Sequence, residues 1–220
     1  MPIFKKIFVQ FIRVCALTAC LSFVFLCTAL PSFANDKSTK KLVVLGDSLS
    51  AEYGITRGSG WVALLEKRLQ EKKLPIQVIN ASISGETSSG GKNRLASLLQ
   101  QHQANYLIIE LGGNDALRGL DLGAMESNFR AMLEMAKKQN CKVLLVGMKM
   151  PPNYGRNYSE SFFNLYGKLA REYKTGLTPF MLEGVAEKPE FMQADKIHFT
   201  ASAHPIILEN IWKNLQPILK

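Results

Sequence analysis

The chain has 220 residues, a length for one domain with short appendages, and its 27 basic and 18 acidic residues give a formal net charge of +9. Three of its four cysteines (Cys15, Cys20, Cys27) fall within residues 1–34, leaving Cys141 alone. An intramolecular disulfide framework is thereby excluded, and stability must come from a packed core. The histidines and the lone thiol form no cluster at ligand spacing, so metal catalysis has no support and no cofactor is expected.

Residues 1–34 carry Lys5, Lys6 and Arg13 with no acidic residue, then an apolar run over residues 14–30, then Pro31-Ser32-Phe33-Ala34. A basic start, an apolar middle and small residues before the cut describe a secretory signal peptide cleaved after Ala34. A polar leader over residues 35–40 and one domain over residues 41–220 would follow, in the periplasm or outside the cell. Two alternatives compete. Leu17-Thr18-Ala19-Cys20 has the residue types of a lipoprotein box with a lipidated Cys20, although apolar residues continue well past it. An uncleaved apolar run of this length also reaches the lower limit for a membrane anchor. From Asn35 onward, 24 basic residues face 18 acidic ones, a net charge of +6. They are scattered, as in Lys67-Arg68, Lys72-Lys73 and Lys137-Lys138, and read as solvated helix faces rather than a nucleic-acid patch. Weak attraction to membrane lipid stays open.

Leu42-Val43-Val44-Leu45 reads as a buried strand stopped by Gly46. Apolar residues at 61, 62, 64, 65 and 69 form a helical stripe that Leu74-Pro75 ends. Residues 76–79 suit a second strand, 87–100 a helix, and 106–111 a third strand closed by Gly112-Gly113. A helix over 125–138, a strand over 142–146 and a helix over 158–173 follow. A short fifth strand is expected over 179–182, and a closing helix over 205–215 with Pro217 just beyond. Such alternation without hairpin signals predicts an α/β fold, a three-layer α/β/α sandwich around a mostly parallel five-stranded sheet. Ligands of open sheets bind beyond the carboxyl ends of the strands. The loops there are unusual: Gly46-Asp47-Ser48-Leu49-Ser50, Asn80-Ala81-Ser82-Ile83-Ser84-Gly85-Glu86-Thr87, and Gly112-Gly113-Asn114-Asp115.

Acyl transfer needs a nucleophile, a base, an orienting group and oxyanion donors. Ser48, after the first strand, is the candidate nucleophile, although its surroundings are not the Gly-x-Ser-x-Gly elbow. His198 stands three residues after Asp195, close enough for the carboxylate to reach the imidazole and fix its tautomer. His102, among glutamines, reads as solvated, and His204 opens the last helix. Gly85 lets a backbone N–H approach a substrate, and Asn114 offers a side-chain amide. Each of these residues taken alone has an ordinary turn or cap explanation.

Their order is more telling. Gly-Asp-Ser-Leu-Ser, a glycine after strand two, Gly-Gly-Asn-Asp after strand three and Asp-x-x-His near the end resemble the four blocks of the SGNH/GDSL hydrolase family, whose fold is flavodoxin-like. Within that family the likeness runs to the bacterial periplasmic thioesterase I/protease I/lysophospholipase L1 group and related arylesterases. It is carried by residues 80–87, Pro152-Asn153-Tyr154-Gly155-Arg156 and Gln193-Ala194-Asp195. The resemblance implies a serine hydrolase of acyl esters and thioesters, with Ser48 as nucleophile, His198 as base and Asp195 as its orienter. The Ser48 and Gly85 N–H groups and the Asn114 side chain would form the oxyanion hole. Family members usually continue Asp-Gly-x-His-Pro; here Lys196 and Phe199 replace the glycine and the proline. Asp47 is read as bracing the nucleophile turn. Met148, Met150, Pro151, Pro152 and Tyr154 either line an acyl pocket, with Met150, Pro152 and Tyr154 touching substrate, or cover the sheet edge.

Ser89-Gly90-Gly91-Lys92 and Lys174-Thr175-Gly176 match two penicillin-binding motifs, but no Ser-Asp-Asn lies between them and that reading is rejected. A carbohydrate O-acetyl esterase and a non-catalytic binding module are the remaining alternatives. The partner expected is a small-molecule acyl ester or thioester.

Overall fold

Leu42, Val43, Val44 and Leu45 have no exposed surface, as a strand covered on both faces requires. They form the middle of β1 (Lys40–Gly46) in a computed structural model that describes residues 39–220. The export signal expected over residues 1–34 and most of the leader lie outside the described residues. β1 itself begins at Lys40, two residues before the apolar run that predicted it.

Four further strands pair with it: β2 (Ile76–Asn80), β3 (Tyr106–Glu110), β4 (Lys142–Val146) and β5 (Gly176–Thr178). All pairings are parallel, in the order β2-β1-β3-β4-β5. The fifth strand corrects the sequence reading, which had put it over residues 179–182. Pro179 has no N–H for the ladder, and the chain bends there, with the Met181 N–H returning to the Gly147 carbonyl. Met181 and Leu182 are buried all the same, so the apolar run that suggested a strand fills the core instead.

Between strands lie α1 (Trp61–Glu71), α2 (Ser88–His102), a short α3 (Gly113–Leu117), α4 (Leu122–Lys138), α5 (Arg156–Tyr173) and α6 (His204–Leu215). The sequence reading left α3 as loop and began α4 at residue 125; Asp121 caps α4 earlier by accepting from the Ala124 N–H at 2.7 Å. Helix α1 packs on α6 along one face of the sheet, and α2 on α4 and α4 on α5 along the other. Cys141, just before β4, is buried, and burial pushes its thiol up to about 12.

The order places β1 between β2 and β3, so the chain's path reverses there and a crevice opens above the carboxyl ends of β1 and β3. Helix α1 is anchored beneath that crevice without a side-chain cap of its own. Instead, Nδ1 of buried His204 accepts the Trp61 N–H at 3.0 Å.

That bond needs an unprotonated Nδ1. Burial pulls His204 below its ordinary 6.5, against an opposing pull from the Glu52 charge. Below pH 6.5 the unfolded chain takes up a proton that the folded chain resists, so this stabilisation is full above 6.5 and fades as pH falls. His204→Ala is therefore expected to cost about 1–3 kcal/mol at neutral pH. Urea denaturation of both proteins at several pH values should show the gap narrowing in acid.

Candidate active site

The Asp47 carbonyl accepts from the N–H groups of both Ser50 and Ala51, which curls the chain into one tight turn directly after β1. Ser48 rides on that turn. Its Oγ lies 2.9 Å from His198 Nε2, and His198 Nδ1 lies 2.6 Å from Asp195 Oδ2. Residues 150 positions apart are thus joined in one line.

The second half of that line is a compact loop ahead of α6. Asp195 Oδ1 accepts from the N–H groups of Ile197 and His198, each at 3.0 Å. The His198 N–H, then its side chain, then the Ile197 N–H hold the Asp195 carboxyl down at about 2. Bringing both N–H groups onto one oxygen requires the chain to curl tightly, and Lys196 takes a left-handed φ of 57° to do it. Lysine therefore adopts the conformation that the family's glycine would adopt freely. Phe199, in the family's proline position, is buried and pairs across to Met192.

Gln193 ties this loop to the segment after the Ser48 turn. Its Nε2 donates to the carbonyls of Tyr53 (2.9 Å) and Phe199 (2.8 Å). Gly54 makes room, since a Cβ there would lie 2.1 Å from Gln193 Oε1. The Tyr53 ring, half exposed, packs on His198 with centroids 4.3 Å apart.

The three groups expected as oxyanion donors lie in the segments that follow β1, β2 and β3. The backbone N–H groups of Ser48 and Gly85 find no protein acceptor among the described residues. Gly85 has φ 78°, and its carbonyl is held by Arg118 Nη2 at 3.0 Å. Asn114, in the first turn of α3, gives one amide N–H to Asp47 Oδ2 at 3.1 Å, which leaves its second N–H for a ligand.

Beneath the donors is a layer that the sequence reading missed. Glu110, the last residue of β3, is 2% exposed; Asp47 and Ser50 are 3% and 1% exposed. Glu110 Oε2 accepts from Ser50 Oγ at 2.6 Å and from the Asp47 N–H at 3.3 Å. Burial raises Asp47 to about 6 and pushes Glu110 well above the carboxylate range, the Asp47 charge adding to the latter. Ser50 is therefore sealed beneath the turn and cannot replace Ser48. The signal for Glu110 was a carboxylate ending an otherwise apolar strand. Asp115 was missed likewise; its carboxylate takes the Ser88 N–H and hydroxyl, and so fixes the start of α2 behind the Gly85 loop.

Among the described residues, the large apolar side chains left exposed, Tyr53, Ile83, Leu117, Leu120 and Ile197, all belong to the segments that follow the strands at this end of the sheet. Of the expected substrate contacts, Met150 is turned into the core and Tyr154 is half-buried, its hydroxyl at 3.5 Å from the Leu117 carbonyl. Pro152 opens a single 3₁₀ turn beside Tyr154. A groove of about 720 Å³ at the opposite end of the strands, between Lys40, Asn105, Tyr106 and Lys142, is lined by no serine, histidine or carboxylate.

A model of the GDSL-like lipase/acylhydrolase family matches residues 44–206. The chain is 46% identical over 193 residues to esterase TesA of Pseudomonas aeruginosa, covering 88% of this chain and 96% of that protein. It is 45% identical over 178 residues to thioesterase 1/protease 1/lysophospholipase L1 of Escherichia coli, covering 81% and 84% respectively. A crystal structure of TesA superposes with a TM-score of 0.80 at 47% identity, over 81% of this chain and 99% of that one.

The left-handed lysine yields a direct test. Lys196→Gly removes its steric cost and keeps the turn, although glycine also gains freedom in the unfolded chain. A net stabilisation of about 0.5–1 kcal/mol is expected by thermal or chemical denaturation.

Proposed function

Because this chain belongs to the GDSL-like lipase/acylhydrolase family, we propose that it hydrolyses acyl esters and thioesters through an acyl-enzyme on Ser48. The observation that carries the reading is the Ser48–His198–Asp195 line, at 2.9 and 2.6 Å. His198 Nε2 takes the Ser48 proton as Oγ attacks the acyl carbonyl carbon. The oxyanion that develops is received by the N–H groups of Ser48 and Gly85 and by the free N–H of Asn114. His198 then returns the proton to the departing alcohol or thiol. Water attacks the acyl-serine in the same manner, with His198 again as base. Asp195, held ionised by its hydrogen bonds, keeps the imidazole in the tautomer that leaves Nε2 unprotonated.

Substrate class is supported by the rim of Tyr53, Ile83, Leu117, Leu120 and Ile197. Apolar side chains there suit an acyl chain of several carbons, each methylene worth about 0.8 kcal/mol when fully buried. An acetylated sugar would gain little from them, which disfavours the O-acetyl esterase alternative. The names of the relatives, esterase and thioesterase among them, agree with an acyl substrate. Export is part of the same proposal, supported by the basic, apolar and small-residue regions that end at Ala34.

Ser48→Ala is expected to fold normally and to lose about 10⁴–10⁶-fold in kcat/KM. A fluorophosphonate probe should label the wild type at Ser48 and spare the variant; a folded variant with near-normal activity would overturn the mechanism. With p-nitrophenyl esters, kcat/KM should climb from acetate toward longer chains. A preference for acetate would return the sugar esterase to first place. N-terminal sequencing of exported protein should begin at Asn35, and a lipid-modified Cys20 would contradict that.

A further inference from the structure

Behind the proposed oxyanion donors, two carboxyl groups are buried against one another. The Glu110 carboxyl accepts the Asp47 N–H at 3.3 Å, the Asp47 charge acts on it, and neither carboxyl is in ion-pair contact with a lysine or arginine among the described residues. Two adjacent carboxylates in a low-dielectric site cannot both be ionised without strong repulsion, so one proton is retained between them. Its place follows from the hydrogen bonds. Asp47 accepts the Leu49 N–H at 3.0 Å and the Asn114 amide at 3.1 Å, both of which favour its anion. Glu110 accepts the Ser50 hydroxyl and the longer Asp47 N–H through Oε2 alone, leaving Oε1 to carry the proton.

We propose that Glu110 is a positioning residue for the oxyanion hole: its protonated carboxyl donates to Asp47, and Asp47, held as the anion, aims the Asn114 amide. This rests on the reading of Asn114 as an oxyanion donor and deepens it. Glu110 also reaches the other two donors. Through Oε2 it grips both flanks of Ser48, and the Ser50 carbonyl accepts the Asn80 amide at 2.8 Å, tying in the loop that leads to Gly85. Burial drives both carboxyls upward and the Asp47 charge raises Glu110 in addition, which agrees with the proton's assigned place.

The ionisable groups around the pair define its pH behaviour. His198, from the loop before α6, acts on Asp47 and favours its anion. Burial, and after it the charges of Glu110, Asp115 and Asp47, keeps Tyr166 on α5 neutral, with its hydroxyl donating to the Leu111 carbonyl. In acid, Asp47 takes a second proton near about 6 and its grip on Asn114 weakens. In alkali, Glu110 loses its proton and the two carboxylates push apart. Catalysis should fall at both extremes through this pair.

The test compares wild type, Glu110→Gln and Glu110→Ala by kcat and KM across pH with p-nitrophenyl butyrate, and by infrared spectroscopy. Glu110→Ala should lower kcat roughly 10–100-fold with KM changing less than about threefold. Glu110→Gln retains an acceptor for Ser50 and an N–H toward Asp47, so it should recover most of that loss and no longer show the alkaline fall. At neutral pH the wild type should display a protonated-carboxyl C=O band, shifted in heavy water and missing from Glu110→Gln. The proposal fails if wild type lacks the band, if the band survives in Glu110→Gln, or if Glu110→Ala raises KM while sparing kcat. The wild-type spectrum decides even if Glu110→Ala does not fold. An inactive wild type would sink the reading of Ser48; an active wild type without the band sinks only the shared proton.

Discussion

The register of β1 against β3 governs the rest of the molecule, because it sets Gly46 opposite Glu110. A Cβ on residue 46 would stand 2.6 Å from Ser50 Oγ and 2.9 Å from Glu110 Oε2. Only the missing side chain lets the carboxyl close over the strand end and hold the turn that follows. A slip of one residue would send Glu110 to the opposite face and leave Ser50 and Asp47 without a partner. Ser48 and Asn114 thus inherit their separation from a backbone ladder, which deforms less readily than a loop.

Such an arrangement costs stability. A carboxyl group removed from water is unfavourable by several kcal/mol unless hydrogen bonds replace its hydration, and here two share one pocket. The expense is met in the middle of the sheet, where the side chains of β1, β3 and β4 are apolar and almost wholly covered. The division is spatial: the sheet's centre supplies packing, and its carboxyl end holds strained or buried polar groups. Glycines with positive φ at 85 and 112 and the left-handed Lys196 belong to that same end.

Much of this was legible in the sequence for simple reasons. Apolar runs separated by amphipathic stretches define a parallel sheet with covering helices, and Ser48, Asn114, Asp195 and His198 stood out because their blocks fall after strands or near the end. What was not legible depended on contacts between distant segments. Glu110 reads as an ordinary strand end until its position under residue 46 is known. The last strand was placed too late because Met181 and Leu182 are as buried as strand residues would be, and Pro179 was not weighed as a break. The replacement of glycine by Lys196 gave no indication that its backbone would still turn left-handed. Met150 illustrates the converse, an apolar loop residue that the core absorbs.

Ser48 and His198 come from opposite ends of the described fold, and their contact spans 150 positions. The strand that leads into Ser48 is made well before the His198 imidazole, which follows β5 and lies just ahead of α6. On the proposed mechanism, a nascent chain carries Ser48 without its base until residues 195–198 have been made. On the same mechanism, hydrolytic competence waits until the loop bearing Asp195 and His198 docks beside the Ser48 turn. Any process that keeps this last segment from docking, such as a chaperone bound to the growing polypeptide, would hold the protein chemically silent without touching its substrate crevice.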